Sequence, residues 1–471
     1  MSQESSRQSV SSAEETSDNN FTNHAHAIHV RNAPSVLSKE APPESYRGFL
    51  NLAMLILAAN NLRLIIENFL KYGFLLSTPG TIAAPYDYTC LMICFLVLPL
   101  HIIFAFYIEK ITIRPFLNEI KLAKKEGKEP TITPKIKSIN KRAGILHTVN
   151  ITFILLFPSA VSYFIIFHPF LGSIALFNGL ALFFKLISYA FVNRDLRLSQ
   201  LIGGISSSSK EETKIPIIDV YSVQYPNNIT LKDLFYFWFA PTLCYQPSYP
   251  RSPDRFRPGF FLKRCGEIAI ACTMMYFLVE QYANPTLRNS LRAIDELSLV
   301  SIVERVLKLS TISLAIWLLM FYAVFHSTLN LLAEVLRFGD RSFYLAWWNS
   351  GSLGTYWRLW NRPVYQWFKR HVYLPLVDNG VSPRVASFIV FTLSAAFHEF
   401  LIGIPTHSLK GFAFVGMMSQ IPLIEMTKPL EKWRGKGSTF GNVIFWMSFC
   451  LVGQPAAILL YYYQWNMTHQ I

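Results

Sequence analysis

The chain has 471 residues, of which 52% are hydrophobic, 15% aromatic and only 15% charged, and its mean hydropathy is +0.29. Repeated apolar stretches near the ~20 residues needed to cross a bilayer exclude a water-soluble enzyme and predict an all-α protein with many membrane spans. The net charge of +14 would suit nucleic acid, but the basic residues fall in the connections between apolar runs, as in cytosolic membrane loops, so no nucleic-acid partner is expected.

Residues 1–47 are rich in Ser, Asn, Glu and Pro and poor in large apolar side chains. They are expected to form a disordered tail, because they bury too little to offset chain entropy. The tail lacks the basic start and apolar core of a secretory signal, so the first span is the expected insertion signal and the N-terminus is expected to stay cytosolic. Residues 48–471 form the embedded domain, with about nine spans: 50–75, 88–109, 144–167, 171–192, 260–282, 302–336, 385–406, 410–427 and 440–464.

The connection from Lys110 to Arg142 carries the basic cluster LAKKEGKEP and KIKSINKR, and two crossings from the start place it on the N-terminal side. The same parity holds for 193–259 and 337–384. Within these, 233–253 and 341–375 interleave Phe, Tyr and Trp with cations, which predicts amphipathic segments lying in the headgroup region. They serve either as a surface anchor or as a docking surface for an anionic, nucleotide-bearing amphiphile such as a coenzyme A thioester, with aromatics stacking on the base and cations holding phosphates. Four Asn-x-Thr motifs begin at Asn20, Asn150, Asn228 and Asn466; with nine crossings only the last lies on the lumenal side.

The pair His398-Glu399 sits inside the apolar run from Val385 to Pro405. Two ionisable groups at membrane depth cost several kcal/mol unless they face protein or a wet cavity, so they mark a functional site. An imidazole suits removal of a hydroxyl proton near neutral pH. The same residue is also compatible with a satisfied core histidine. Cys90, Cys94, Cys244, Cys265, Cys272 and Cys450 show no metal-ligand spacing, so neither a zinc site nor a metal cofactor is expected. A transporter would show duplicated halves with broken helices, and no such duplication is present.

The segments NLRLIIENFLKYGFLL (61–76), YPNNITLKDLFYFWFAPTLCYQPSYPRSP (225–253), FHSTLNLLAEVLRFGDRSFYLAWWN (325–349), SAAFHEFLIGIP (394–405), GMMSQIPL (416–423) and VGQPAAILLYYYQW (452–465) resemble the membrane-bound O-acyltransferases. Among these, they are most similar to the type 1 acyl-CoA:diacylglycerol acyltransferases. The resemblance implies that family's helical membrane fold and acyl transfer from acyl-CoA, a co-substrate rather than a cofactor, to diacylglycerol in the endoplasmic reticulum. It also implies a homodimer contacting through its N-terminal region. Sterol and long-chain alcohols are alternative acceptors, since the histidine chemistry is the same.

On that resemblance, His398 matches the catalytic histidine and Asn361 a position in the catalytic chamber, where its amide could serve the developing oxyanion or cap a turn before Pro363. Glu399 joins the candidate catalytic set, although adjacent side chains on a helix point roughly 100° apart. Trp360 and Tyr373 match the acyl-CoA entry. Ser394, one turn before His398, either reaches the thioester or bonds back to its helix. Gln420 and Gln454 match polar positions expected to hold the acceptor, or to pack helices. Arg384 is placed near the site only by its sequence proximity. The family motif Phe-Tyr-x-Asp-Trp-Trp-Asn is Phe343-Tyr344-Leu345-Ala346-Trp347-Trp348-Asn349 here. Ala346 replaces the acid, which raises a second alternative, a catalytically impaired homologue serving as a scaffold.

Overall fold

The structure, a computed structural model, describes residues 29, 32–38, 40–41, 44–70, 84–127, 132–202, 223–253, 255–296, 298–434 and 439–469. Seventeen α-helices follow one another among these residues: α1 Arg47–Leu70, α2 Pro85–Lys125, α3 Pro134–Phe164, α4 Pro169–Ile202, α5 Leu231–Phe239, α6 Pro258–Leu278, α7 Asn284–Asp295, α8 Leu299–Phe321, α9 Leu329–Leu336, α10 Leu353–Leu359, α11 Arg362–Phe368, α12 Leu374–Asp378, α13 Pro383–Gly403, α14 Phe412–Met418, α15 Gln420–Arg434, α16 Thr439–Trp446 and α17 Gln454–His469. Wide π-helical turns at Tyr322–Thr328 and Met447–Gly453 join α8 to α9 and α16 to α17 into long continuous rods, and a third at Lys369–Tyr373 joins α11 to α12.

Among the described residues, six helical rods are long and apolar enough to span a membrane: Tyr86–Lys125, Pro134–Phe164, Pro169–Leu201, Leu299–Leu336, Pro383–Gly403 and Phe440–His469. Six of the nine expected spans thus have such a helix, and the count of nine is not confirmed among the described residues. The stretch at 260–282 is helical but carries Lys263, Arg264 and Glu267 in its first half. The stretch at 410–427 is broken at Ser419 into α14 and α15. At the first span, the described apolar helix is Arg47–Asn60, and residues 71–75 of that expectation lie outside the described residues.

The expected loop from Lys110 to Arg142 is corrected more sharply. α2 has 41 residues, about 60 Å of helix, twice the hydrocarbon thickness. Its basic half continues straight out of the apolar part, and α3 starts again at Pro134 under a Thr133 cap whose hydroxyl accepts from Ile136 N at 3.2 Å. The protruding ends of α2, α3 and α4 close a small core of Phe116, Ile120, Ile136, Leu198 and Leu201. At its base, buried Glu109 accepts from His147 Nε2 at 2.9 Å and from Arg197, and Arg197 Nε donates to Asn140 Oδ1 at 3.2 Å.

Most of the aromatic side chains expected in the headgroup region are instead packed inside the protein, although Phe239, Arg251, Arg358 and Lys369 are exposed. Phe343, Tyr344, Trp347, Trp348, Tyr356 and Trp367 are all buried, the two tryptophans of the motif completely. Trp347 packs edge-on against Trp317 and Phe321 of α8. Arg370, one of the cations among them, is also buried and donates to Tyr245 O at 3.0 Å. These aromatics fill the centre of the domain.

The tail expected over 1–47 is partly seated on the domain. His29 is buried, with Nδ1 at 2.8 Å from Asp340 Oδ2 and its backbone N–H donating to Gln246 Oε1. Residues 1–28 lie outside the described residues. Asn150 and Asn228 are buried and hydrogen-bonded to His101 and Asn193, so neither presents a glycosylation site, and Asn20 lies outside the described residues.

Candidate active site

His398 lies on α13, whose start follows from local chemistry: Ser382 caps it, accepting from Val385 N at 3.4 Å, and Pro383 occupies the first turn. Its Nδ1 is 2.7 Å from the Ser394 carbonyl, one turn back. A carbonyl only accepts, so Nδ1 carries the proton and donates. Nε2 is left as the lone-pair nitrogen. That tautomer is the one a general base needs, and it is set by the helix backbone rather than by a carboxylate.

Ser394, His398 and Phe391 repeat at intervals of three and four, one face of α13. Phe391 packs edge-on against Trp357 of α10, ring centroids 6.3 Å apart. This face therefore looks toward the α10–α11 corner, where Trp360 and Asn361 sit. The neighbouring α13 face, with Phe397, packs on Phe183 and Phe184 of α4 and on Phe368, and α13 also packs against the Lys369–Tyr373 turn, which brings the Tyr373 segment alongside.

Asn361 is the N-cap of α11, its Oδ1 accepting from Val364 N at 3.3 Å. The expected turn-capping role is thus real, but it uses only the oxygen and leaves the Nδ2 donor for another task. The Leu359–Arg362 corner is held by the motif strand: Leu345 N donates to Leu359 O at 2.9 Å and Arg362 N to Phe343 O at 3.1 Å. Trp360 stacks between Tyr356 and Trp317, at 6.0 and 6.1 Å. Two turns of chemistry thus share α8, because Gln454 Nε2 reaches Ser313 O on α8 at 3.5 Å while Gln454 Oε1 is buried with no hydrogen-bond partner among the described residues. Gln420, at the α14–α15 break, bonds back to Gly416 O at 3.4 Å, and α14 packs along α13.

Two expectations are corrected. Glu399 is not a partner of His398: its Oε1 accepts from Gly411 N at 2.8 Å, and its Oε2 from Ala413 N at 3.0 Å, Phe414 N at 3.2 Å and Tyr461 Oη at 2.6 Å. The carboxylate caps α14, where free N–H groups and the helix dipole favour an anion, and the side chain points away from the imidazole as helix geometry requires. Gly403 makes room for this, since a Cβ there would lie 2.9 Å from both Glu399 Oε1 and Ser408 O. Arg384, exposed in the first turn of α13, is fourteen positions from His398, about 21 Å along the axis, and belongs to the other end of the helix.

The rest of the motif works on its other side. Asn349 Oδ1 accepts from Gly48 N at 2.8 Å, Trp348 Nε1 donates to Ser45 O at 3.2 Å, and the Trp348 ring stacks on Tyr46 at 6.1 Å. Asn442 clamps the turn by donating to Trp348 O and Ser350 O at 2.9 and 3.0 Å. The motif therefore holds the start of α1 with one edge and the Asn361 corner with the other. Two contributors escaped the sequence reading, Tyr461 and Asn442. The signal for both was a polar group in an apolar helix, which needs a buried partner.

A helical membrane domain with an imidazole and an unpartnered Gln454 amide oxygen in its interior is an architecture that suits an intramembrane group-transfer enzyme. The sequence profile of the MBOAT family, membrane-bound O-acyltransferases, matches residues 144–463, and the chain belongs to that family. It is 39% identical over 441 residues to diacylglycerol O-acyltransferase 1-2 of Oryza sativa subsp. japonica, covering 92% of this chain and 85% of that protein. It is 38% identical over 439 residues to diacylglycerol O-acyltransferase 1 of Arabidopsis thaliana, covering 92% and 76%, and 37% identical over 429 residues to diacylglycerol O-acyltransferase 1 of Dictyostelium discoideum, covering 91% and 64%.

Proposed function

We propose that this chain transfers the acyl group of acyl-CoA to the free hydroxyl of diacylglycerol, giving triacylglycerol and CoA. The observation that carries the mechanism is the His398 tautomer, with Nδ1–H held by Ser394 O and Nε2 open. Nε2 takes the hydroxyl proton as the oxygen attacks the thioester carbonyl. The carbon–sulfur bond then breaks, and the proton passes to the departing CoA thiolate. Asn361 Nδ2 donates to the oxyanion that forms in between, a contact whose loss costs about a hundredfold or more in related chemistry. Gln454 Oε1 accepts from the acceptor hydroxyl before transfer, and Gln420 lies on the same acceptor side. Trp360, Tyr373 and Ser394 line the donor side. Acyl-CoA is a co-substrate, and no further cofactor enters the scheme.

The substrate assignment draws on the names of the similar proteins and on the chain's match to them over nine-tenths of its length. The reaction is placed in the endoplasmic reticulum membrane, with the N-terminus cytosolic and the enzyme a homodimer. Glycosylation at Asn466 would fit that orientation, and a purified chain that scatters light as a monomer would overturn the dimer.

The test is ester synthesis in microsomes from labelled oleoyl-CoA, with diacylglycerol, cholesterol and a long-chain alcohol as competing acceptors, for the parent and His398→Ala. Triacylglycerol dependent on His398 is expected. Preference for another alcohol would move the substrate, and a well-expressed parent making no ester with any acceptor would overturn the reading.

A further inference from the structure

Nine residues beyond His398, the exit of α13 carries a second histidine whose surroundings the acyl transfer does not use. His407 Nδ1 lies 3.0 Å from His469 Nε2 on α17, His407 Nε2 lies 3.2 Å from Ser162 O at the end of α3, and His469 Nδ1 lies 2.8 Å from Trp465 O. Both terminal partners are carbonyls and can only accept. Each outer nitrogen must therefore carry a proton, and the central hydrogen bond needs a third. Two neutral imidazoles supply only two. All three bonds form together only when the pair holds one extra proton, whereas two extra protons would set like charges face to face at 3.0 Å.

We propose that His407 and His469 form a proton-sharing latch, closed when the pair carries a single positive charge, that ties the exit of α13 to α3 and α17. The backbone agrees, since His407 sits in the left-handed region with φ +52°, a conformation that a side chain held at both nitrogens stabilises. The groups around the pair leave it to titrate as a unit. Tyr163 and Phe167 present ring edges to His407 and His469. Asp87, in the first turn of α2, is engaged by the backbone N–H groups of Phe167 and His168. His168 is adjacent, Lys410 faces out from the α13–α14 turn, and Glu399 and Tyr461 are bonded to one another two turns up α17. Burial pushes His407 below the ordinary histidine range, the Ser162 carbonyl pulls it back up, and His469 lowers it further. The latch lies at the end of the domain where α2 begins and α3 ends, opposite the protruding basic ends of α2–α4. It therefore responds to acidity on that face of the membrane, and it bears on the same two helices, α13 and α17, that Glu399 and Tyr461 clamp beside the catalytic imidazole.

The experiment is ¹⁵N-histidine NMR of the full chain in lipid nanodiscs between about pH 5 and pH 8, with His469→Gln and, keeping a side chain suited to left-handed backbone, His407→Asn. In the parent, the pair is expected to titrate in two steps separated by more than about one pH unit. In His469→Gln, His407 should collapse to a single step. Melting midpoints should peak for the parent within the singly charged window, by about 2 °C over either side, and should be flat across it for both variants. Independent titration of the two rings, with midpoints unmoved by either substitution, would overturn the latch, as would identical pH profiles of melting in parent and variants. Neither readout depends on the acyltransferase reading.

Discussion

Two of the polar clusters inside this protein are closed to different degrees. At the base of the α2–α4 extension, buried Glu109, His147 and Arg197 and half-buried Asn140 are joined to one another, with the Glu109 carboxylate facing Arg197 and His147 Nδ1 left without a partner among the described residues. Among the candidate site residues, the open groups are His398 Nε2 on α13, the Asn361 amide donor at the start of α11 and Gln454 Oε1 where α17 meets α8, each on a residue whose other polar atom is engaged by the protein. In the first cluster the charges close on one another, carboxylate on guanidinium, within the protein. In the second, each side chain is held by one hand and offers the other, which is what a site needs if substrate is to supply the missing partner. On the proposed function, that difference is the one between structural and functional polarity.

Substitutions should therefore fall into two patterns. The largest effect is expected at His398: replacement by Gln should lower the rate of ester synthesis by about 10²–10⁴-fold while the melting midpoint stays level, measured on purified protein in nanodiscs. Arg197→Met should do the reverse. It leaves Glu109 buried with only His147, which costs about 3–5 kcal/mol of stability, and the fraction that folds should keep the parent's turnover per molecule. A loss of turnover in folded Arg197→Met would erase the distinction between the clusters.

Asn361 sharpens the contrast because it belongs to both kinds. Asn361→Asp keeps an oxygen to cap α11 but exchanges the donor for negative charge facing the oxyanion, so the rate should fall about 10²-fold or more with melting unchanged. Asn361→Ala should lose rate and also about 1 kcal/mol of stability. A smaller change is expected for Gln454→Leu. Removing a buried acceptor that lacks a partner should raise stability slightly, while the KM for diacylglycerol rises about three- to tenfold and that for acyl-CoA stays put.

His398 stands out in the sequence because an ionisable group within an apolar run needs a partner or a task, and the structure places it on α13 with Nδ1 at the Ser394 carbonyl. The helix starts at Pro134 and Pro383 each follow a capping Thr133 or Ser382, a signal that the span limits of 144 and 385 do not use, and the charge in 110–142 masks the helices α2 and α3 that run through it. The role of Glu399 was not legible. Its partners Gly411, Ala413, Phe414 and Tyr461 come from a turn twelve residues on and from the last helix, and no local pattern encodes that meeting. The aromatic run 341–375 was misplaced at the bilayer surface because composition is the same for a tryptophan at the headgroups and one at the core. Only packing against Trp317 and Phe321 of α8 tells them apart.

The smallest effect is expected where the sequence departs most visibly from the family. Ala346 stands at the N-cap of the short 3₁₀ turn Trp347–Asn349, with its carbonyl accepting from Asn349 N at 3.2 Å and its methyl packed on the core. An aspartate there would find the N–H groups of Trp348 and Asn349 within its reach as a cap, a contribution of about 1 kcal/mol, set against the cost of desolvating a carboxylate at a half-buried position. The turn does not wait for that cap. Asn442 already holds its carbonyls, Asn349 ties it to Gly48, and Leu345 and Arg362 hold its far side to the Asn361 corner. Ala346→Asp should therefore leave ester synthesis within about threefold of the parent, since the two terms of about 1 kcal/mol oppose each other. A revival of tenfold or more would mean that the missing carboxylate acts on the donor rather than on the loop, and the parent would then be the impaired form of its own enzyme.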